Sequence, residues 1–181
     1  MIETERLLLR RWRARDRAPF AAMNADPQVM DFPRPLTVSE SDAEITDFEA
    51  RWENDGFCFA AMDSRTGEGL LGMAGLARCS VVPTLGPCVE IGWRLARAHW
   101  RHGYATEAAR AWIEFGFADP GLEAIVTFTD AANHRSLGVM RKVGMRCAPK
   151  HDFEHPDFPP GHALRPQRVF VIARGDREAN R

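Results

Sequence analysis

The sequence predicts an α+β (mixed α/β) fold around a mixed sheet. Three observations carry this. A strand pair with a turn between its arms lies in the first half, at residues 57–62 and 70–79. A strand–helix–strand–helix–strand succession fills the second half, from residue 89 onward. Two helical runs precede the strand pair. Paired antiparallel strands followed by helix-linked strands give a sheet with both kinds of pairing.

The elements follow in order. Residues 5–10 read as a first strand, with Leu7 and Leu9 alternating against Leu8 and Arg10. Residues 16–26 read as a helix capped by Asp16, with Phe20 and Met23 on one side. Asp26-Pro27 opens a short helical piece to Met30, and Pro33 and Pro35 impose an extended link. Thr37 and Glu40 have capping-box spacing, and Val38, Ile45, Phe48 and Trp52 mark one face of the helix that follows. Gly67 sits in the turn between the paired strands, and Gly72 and Gly75 loosen the second arm. After a loop with two prolines come a strand at 89–95 and a helix at 104–118. A strand at 124–129, a helix at 134–143 ended by Gly144, a strand at 145–153 and a last strand at 167–173 complete the order. Residues 175–181 read as a polar tail that frays.

At 181 residues and 45% apolar, the chain suits one globular domain. The net charge of −1 argues against a nucleic-acid partner. The charged N-terminus lacks a signal-peptide core, and no run reaches a membrane span of ~20 apolar residues. A cytoplasmic protein, monomer or homodimer, is the resulting expectation. The four cysteines show no Cys-x-x-Cys pair, so no zinc site or disulfide framework is expected.

Residues 89–111, VEIGWRLARAHWRHGYATEAARA, organise the chain. A strand is followed by a basic loop, Gly103 and a helix whose Ala105, Ala108, Ala109, Trp112, Ile113 and Gly116 form one face. The first amides of a helix lack intrahelical partners and lie at its positive end. A glycine there lets an anion approach the backbone, with Arg97 and Arg101 adding charge. The same pattern also fits a plain turn before an ordinary helix.

Three stretches resemble the GNAT superfamily of acetyl-CoA-dependent N-acetyltransferases. TERLLLRRW, residues 4–12, looks like the first strand of the Rim-type branch that acetylates ribosomal-protein N-termini. EIGWRL and WRHGYATEA, residues 90–95 and 100–108, are similar to the acetyl-CoA motif. NHRSLGVMRKVGM, residues 133–145, resembles the next motif along. The resemblance implies one N-acetyltransferase domain over residues 1–175, with a tail at 176–181, and a mostly antiparallel central sheet flanked by helices. It implies acetyl-CoA as co-substrate and no metal. The acceptor is an amine: a protein or peptide N-terminus is favoured, a small amine is the alternative, and a membrane or nucleic acid is not expected.

The site residues follow from the same resemblance. Arg101, His102, Gly103, Tyr104, Ala105 and Thr106 would cradle the pyrophosphate. Trp93, Arg94 and Leu95 would lie along the pantetheine arm and bond it through backbone, against the simpler reading of strand packing. Asn133 would reach the cofactor arm, although asparagine before a helix is also a favoured cap. Glu90 is the candidate base and Ser136 the candidate proton source for the departing thiolate. Their structural alternatives are a carboxylate bonded to nearby backbone and a helix-start serine. Trp100 departs from the motif, which has Gln or Arg there. Met140 stands where many relatives have a tyrosine acid, and the only tyrosine is Tyr104.

The segment at 151–162 collects three histidines and three acids, but its prolines and spacing fit no usual zinc pattern. Asp152, Glu154 and Asp157 could instead draw a cationic amine toward an acceptor channel, and a solvated surface loop is the plainer reading. The rivals to the enzyme are a non-catalytic acyl-CoA-binding or regulatory module and a phosphate-binding protein without CoA preference.

Overall fold

A computed structural model describes residues 1–30, 34–67 and 69–178. Its contacts divide the chain into two compact units, residues 1–77 with 92–112 and residues 78–91 with 113–181.

In the first unit, β1 (Ile2–Glu3), β2 (Leu7–Arg10), β3 (Phe59–Ser64) and β4 (Leu70–Cys79) pair antiparallel in that order. Leu7 and Leu9 are fully buried, as their alternation predicts. The helices α1 (Arg17–Asn24) and α2 (Val38–Asp55) pack Phe20, Met23, Ile45 and Phe48 into a core with Trp12, Cys58, Ala61 and Met73. Trp12 meets Phe20 edge-on at 4.6 Å, and Phe48 meets Phe59 at 5.4 Å. Such edge-to-face pairs add ~0.5–1.5 kcal/mol each beyond the area they bury.

The glycines of β4 serve close approach rather than loosening. A Cβ on Gly75 would lie 2.5 Å from the Cys58 carbonyl oxygen, and one on Gly72 would lie 2.2 Å from that of Arg94. No side chain fits either place. The Ala96 amide also donates to the Leu71 carbonyl, so the end of β5 (Cys88–Leu95) lies beside β4.

In the second unit, β5 runs parallel to β6 (Ala124–Thr129), with Glu90 opposite Val126. The crossover is α3 (Tyr104–Ala118), as a parallel pair requires. β6 pairs antiparallel with β9 (Pro166–Ala173), which also takes β7 (Arg146–Cys147) and β8 (Phe153–Glu154). The helices α4 (His134–Lys142) and α5 (Arg174–Glu178) complete a mixed α/β class with mostly antiparallel pairing.

Several expectations are corrected. Asp16 does not cap α1 with its side chain; it accepts from the Arg13 amide and binds Arg10 instead. Residues 27–29 form a turn, not a helical piece. Pro33 lies outside the described residues. Val38 is 67% exposed and off the buried face of α2. The strand expected at 145–153 breaks into β7, a 3₁₀ turn at Pro149–His151, and β8. Residues 174–178 are helical rather than frayed, because Asp176 accepts from the Ala173 amide and pairs with Arg146.

Candidate active site

The first unit holds the end of β5, the loop and the start of α3. Beyond Leu95 a 3₁₀ turn, Arg97–His99, leads to Trp100. The Trp100 indole N–H donates to the Leu95 carbonyl at 2.8 Å. This supplies the account of Trp100 that the motif lacked: the side chain closes the turn and fixes where the loop leaves the strand.

The loop then turns through two left-handed residues, Arg101 at φ 66° and Gly103 at φ 85°. Arg101 is the only non-glycine residue with positive φ among the described residues. Such backbone costs a non-glycine residue ~1–2 kcal/mol, so the surrounding contacts must hold it. The Glu107 amide donates to the Gly103 carbonyl at 3.1 Å and begins the helix. Left-handed residues in a turn direct neighbouring amides to one side, the concave arrangement that takes an anion. Thr106 is buried, and Arg101, His102 and Gly103 are exposed.

Glu107, in the first turn of α3, gathers the N-terminal segment. It accepts the Thr4 hydroxyl at 2.5 Å, the Arg6 amide at 2.9 Å and the Arg6 Nε at 2.7 Å. Burial pushes its carboxyl up, but the Thr4 hydroxyl and the Arg6 amide and guanidinium outweigh that and lower its pKa. The Arg6 guanidinium lies 4.7 Å from the centre of the Tyr104 ring, on which His102 stacks at 5.7 Å.

Trp93, Arg94 and Leu95 lie on β5, with Leu95 buried. The Arg94 side chain is committed elsewhere: it donates to Asn24 Oδ1 at 2.9 Å and Glu44 Oε2 at 2.8 Å. Only its backbone can serve the predicted role.

In the second unit, Glu90 is half-buried on β5. Cys79 and Cys88, scattered in sequence, come together at the ends of β4 and β5, where the Cys88 thiol donates to the Cys79 carbonyl at 3.4 Å. Burial first, then the Glu90 carboxylate, push the Cys79 thiol up to about 12. Asn133 caps α4: its Oδ1 accepts from the Ser136 amide at 3.1 Å, and its Nδ2 donates to Thr129 Oγ1 at 3.1 Å. Ser136 is half-buried at the third helical position. Met140 is buried core.

In the loop after β7, the three acids already have neighbours, with Asp157 Oδ2 3.9 Å from His155 Nδ1. Asp152 accepts from the Val169 amide at 2.9 Å, and Glu154 pairs with Arg165 at 2.7 Å. His155 packs among Phe128, Phe153 and Phe158, and its burial lowers its pKa. Among the described residues no group of three or more His, Cys, Asp or Glu side chains could hold a metal ion. No helix among them is long and apolar enough to cross a membrane.

A family model for the GNAT acetyltransferase domain matches residues 6–146. The chain belongs to the GNAT acetyltransferase family. This GNAT chain is 34% identical over 149 residues to the uncharacterized protein YkkB of Bacillus subtilis, covering 78% of this chain and 83% of that one. Its fold is like that of an acetyltransferase from Agrobacterium tumefaciens, with a TM-score of 0.77 and 22% identity over 96% and 94% of the two chains. It is also like RimL, a ribosomal L7/L12 α-N-protein acetyltransferase solved with coenzyme A, with a TM-score of 0.72 and 12% identity over 94% and 95%. At these identities the two structures show a common fold alone.

The residues that sequence reasoning missed are Thr4, Arg6 and Glu107. Each lies inside a stretch that carries the family resemblance, but nothing in either stretch says that they meet.

Proposed function

We propose that this GNAT acetyltransferase moves the acetyl group of acetyl-CoA to a primary amine, favouring a protein or peptide N-terminus, by direct transfer in a ternary complex. Residues 1–175 would act as one N-acetyltransferase domain in the cytoplasm. One observation carries the reading: after β5 and a 3₁₀ turn, the left-handed Arg101 and Gly103 turn the chain into the start of α3. That turn fits a pyrophosphate, because its amides lie at the positive end of a helix. The lean toward an N-terminal amine rests on the resemblance of residues 4–12 to the Rim-type first strand.

Acetyl-CoA supplies an activated thioester. The backbone amides of residues 101–106 would bind its pyrophosphate, and the backbone of Trp93, Arg94 and Leu95 would align its arm. Asn133 would contact that arm from its cap position. An amine must be neutral to attack, and a free α-amine has a pKa of ~7.7–8.0, so a carboxylate acting directly or through water is enough to take its proton. Glu90 is assigned that proton. The Ser136 hydroxyl is assigned the proton that goes to the departing sulfur.

Initial rates with both substrates varied test the reading. Direct transfer predicts intersecting double-reciprocal lines, and a parallel pattern would exclude it. General acid–base catalysis contributes roughly 10²–10⁴-fold, so Glu90→Gln should lower kcat by at least about a hundredfold with acetyl-CoA affinity retained. Ser136→Ala should lower kcat with little effect on binding. An unchanged kcat would remove that residue from the chemistry.

A further inference from the structure

We infer that Arg6, held by Glu107 and Thr4, is a positioning residue that sets the direction of the phosphate-loop amides. The inference rests on the assignment of residues 101–106 to the pyrophosphate.

The geometry is specific. Arg6 Nη1 donates to the His102 carbonyl at 2.9 Å. In a trans peptide the carbonyl and the following N–H point in opposite directions. Drawing the His102 carbonyl toward Arg6 therefore turns the Gly103 N–H away from it. His102 lies between the two left-handed residues, where the peptide planes would otherwise be freest to rotate. The Arg6 Nη2 also stands 3.5 Å from where a Gly103 Cβ would be.

Arg6 is itself immobilised. Its Nε and Nη2 bind Glu107 Oε2 at 2.7 and 2.6 Å, and its own amide donates to Glu107 Oε1 at 2.9 Å. Thr4 supplies the fourth donor to the same carboxylate. The planar fork of arginine suits this set of contacts, since one edge meets the carboxylate while Nη1 reaches the carbonyl. The guanidinium also covers the Tyr104 ring at the first position of α3. Glu107 neutralises the Arg6 charge, so Arg6 acts through the loop and not as a ligand to the anion. The arrangement holds the strained turn in shape before a ligand arrives, which lowers the ordering cost of binding.

Calorimetric titration with CoA and with pantetheine, which lacks the pyrophosphate, tests this. In the native protein CoA should bind more tightly than pantetheine. Arg6→Met should weaken CoA about tenfold, the scale of one charge-assisted hydrogen bond, and leave pantetheine affinity as it was. Arg6→Lys should recover part of the CoA affinity, because an ammonium can reach the carbonyl or the carboxylate but lacks the fork. Glu107→Gln should weaken CoA in the same selective way and carries the test if Arg6→Met does not fold. CoA affinity unchanged in these variants would overturn the assignment, and so would equal weakening of both ligands, which marks general destabilisation. A native protein that binds CoA no better than pantetheine would overturn the phosphate-loop reading itself, and this inference with it.

Discussion

Gly103 and Trp100 are the two residues on which the loop geometry turns. At φ 85° Gly103 occupies backbone that other residues enter at a cost, although a Cβ there would meet only Arg6 Nη2, at an ordinary contact distance of 3.5 Å. Gly103→Ala should therefore lower stability by ~1–2 kcal/mol in denaturant titration and weaken CoA, with no steric clash involved. Trp100→Phe removes the indole N–H from the Leu95 carbonyl and should cost ~1 kcal/mol by the same measurement, the net worth of a typical hydrogen bond. Gly103 was legible in the sequence as a glycine before a helix. Trp100 was not, since its partner is a backbone carbonyl and its placement depends on the intervening 3₁₀ turn. Arg101 shows the same limit, because nothing in its side chain announces a left-handed backbone.

At the scale of elements, α2 shows where local rules suffice. The Thr37 hydroxyl accepts from the Glu40 amide, and the Glu40 carboxylate accepts from the Thr37 amide at 2.8 Å. Thr37→Ala should cost ~1 kcal/mol in chemical denaturation. Arg34 first, then the Thr37 amide and hydroxyl, hold Glu40 down at about 2. Its folded pKa lies below the ordinary value of ~4.3, so its contribution is complete above that pH and is lost as pH falls toward 2. The native protein should lose stability over that window more than Glu40→Gln does, as read by melting temperature against pH. Capping pairs lie three residues apart, so spacing finds them. The strand expected at 145–153 contains Pro149, which starts a 3₁₀ turn and splits it into two short strands. Val38 fitted the helical period, yet it stands exposed at the first position of α2, whose buried face begins at Ser41.

Across the whole molecule, the order of strands and helices was readable because hydrophobic period and turn residues are local. Pairings between distant segments were not, and the Arg10 cluster is the clearest case. Arg10 is 3% exposed, at the end of β2, and bridges Asp16 at 2.6 Å and Asp63 at 2.6 Å. Burial pushes Asp16 up, but Arg10 and the Arg13 amide outweigh it and hold the carboxyl below its ordinary value. This contribution is likewise present above the ordinary carboxylate pKa and lost as pH falls through the lower, folded one. Arg10→Met would leave the buried Asp16 and Asp63 with only the more exposed Arg15, 3.0 Å from Asp63, and should destabilise the protein by ~3 kcal/mol. The thiol pair Cys79 and Cys88 beside Glu90 is a second product of folding that cysteine spacing did not foretell.

The candidate chemistry divides in the same way. The loop and the α4 cap were legible as motifs, while the proton path depends on where Glu90 and Ser136 stand relative to bound substrates. The most direct test of the central claim is acetyl transfer itself. The protein would be incubated with acetyl-CoA and a panel of peptides with free N-termini and small amines, and free thiol and acceptor mass would be followed together. One thiol should be released for each acetyl group gained by an amine acceptor. CoA binding without transfer to any amine in the panel would contradict the claim.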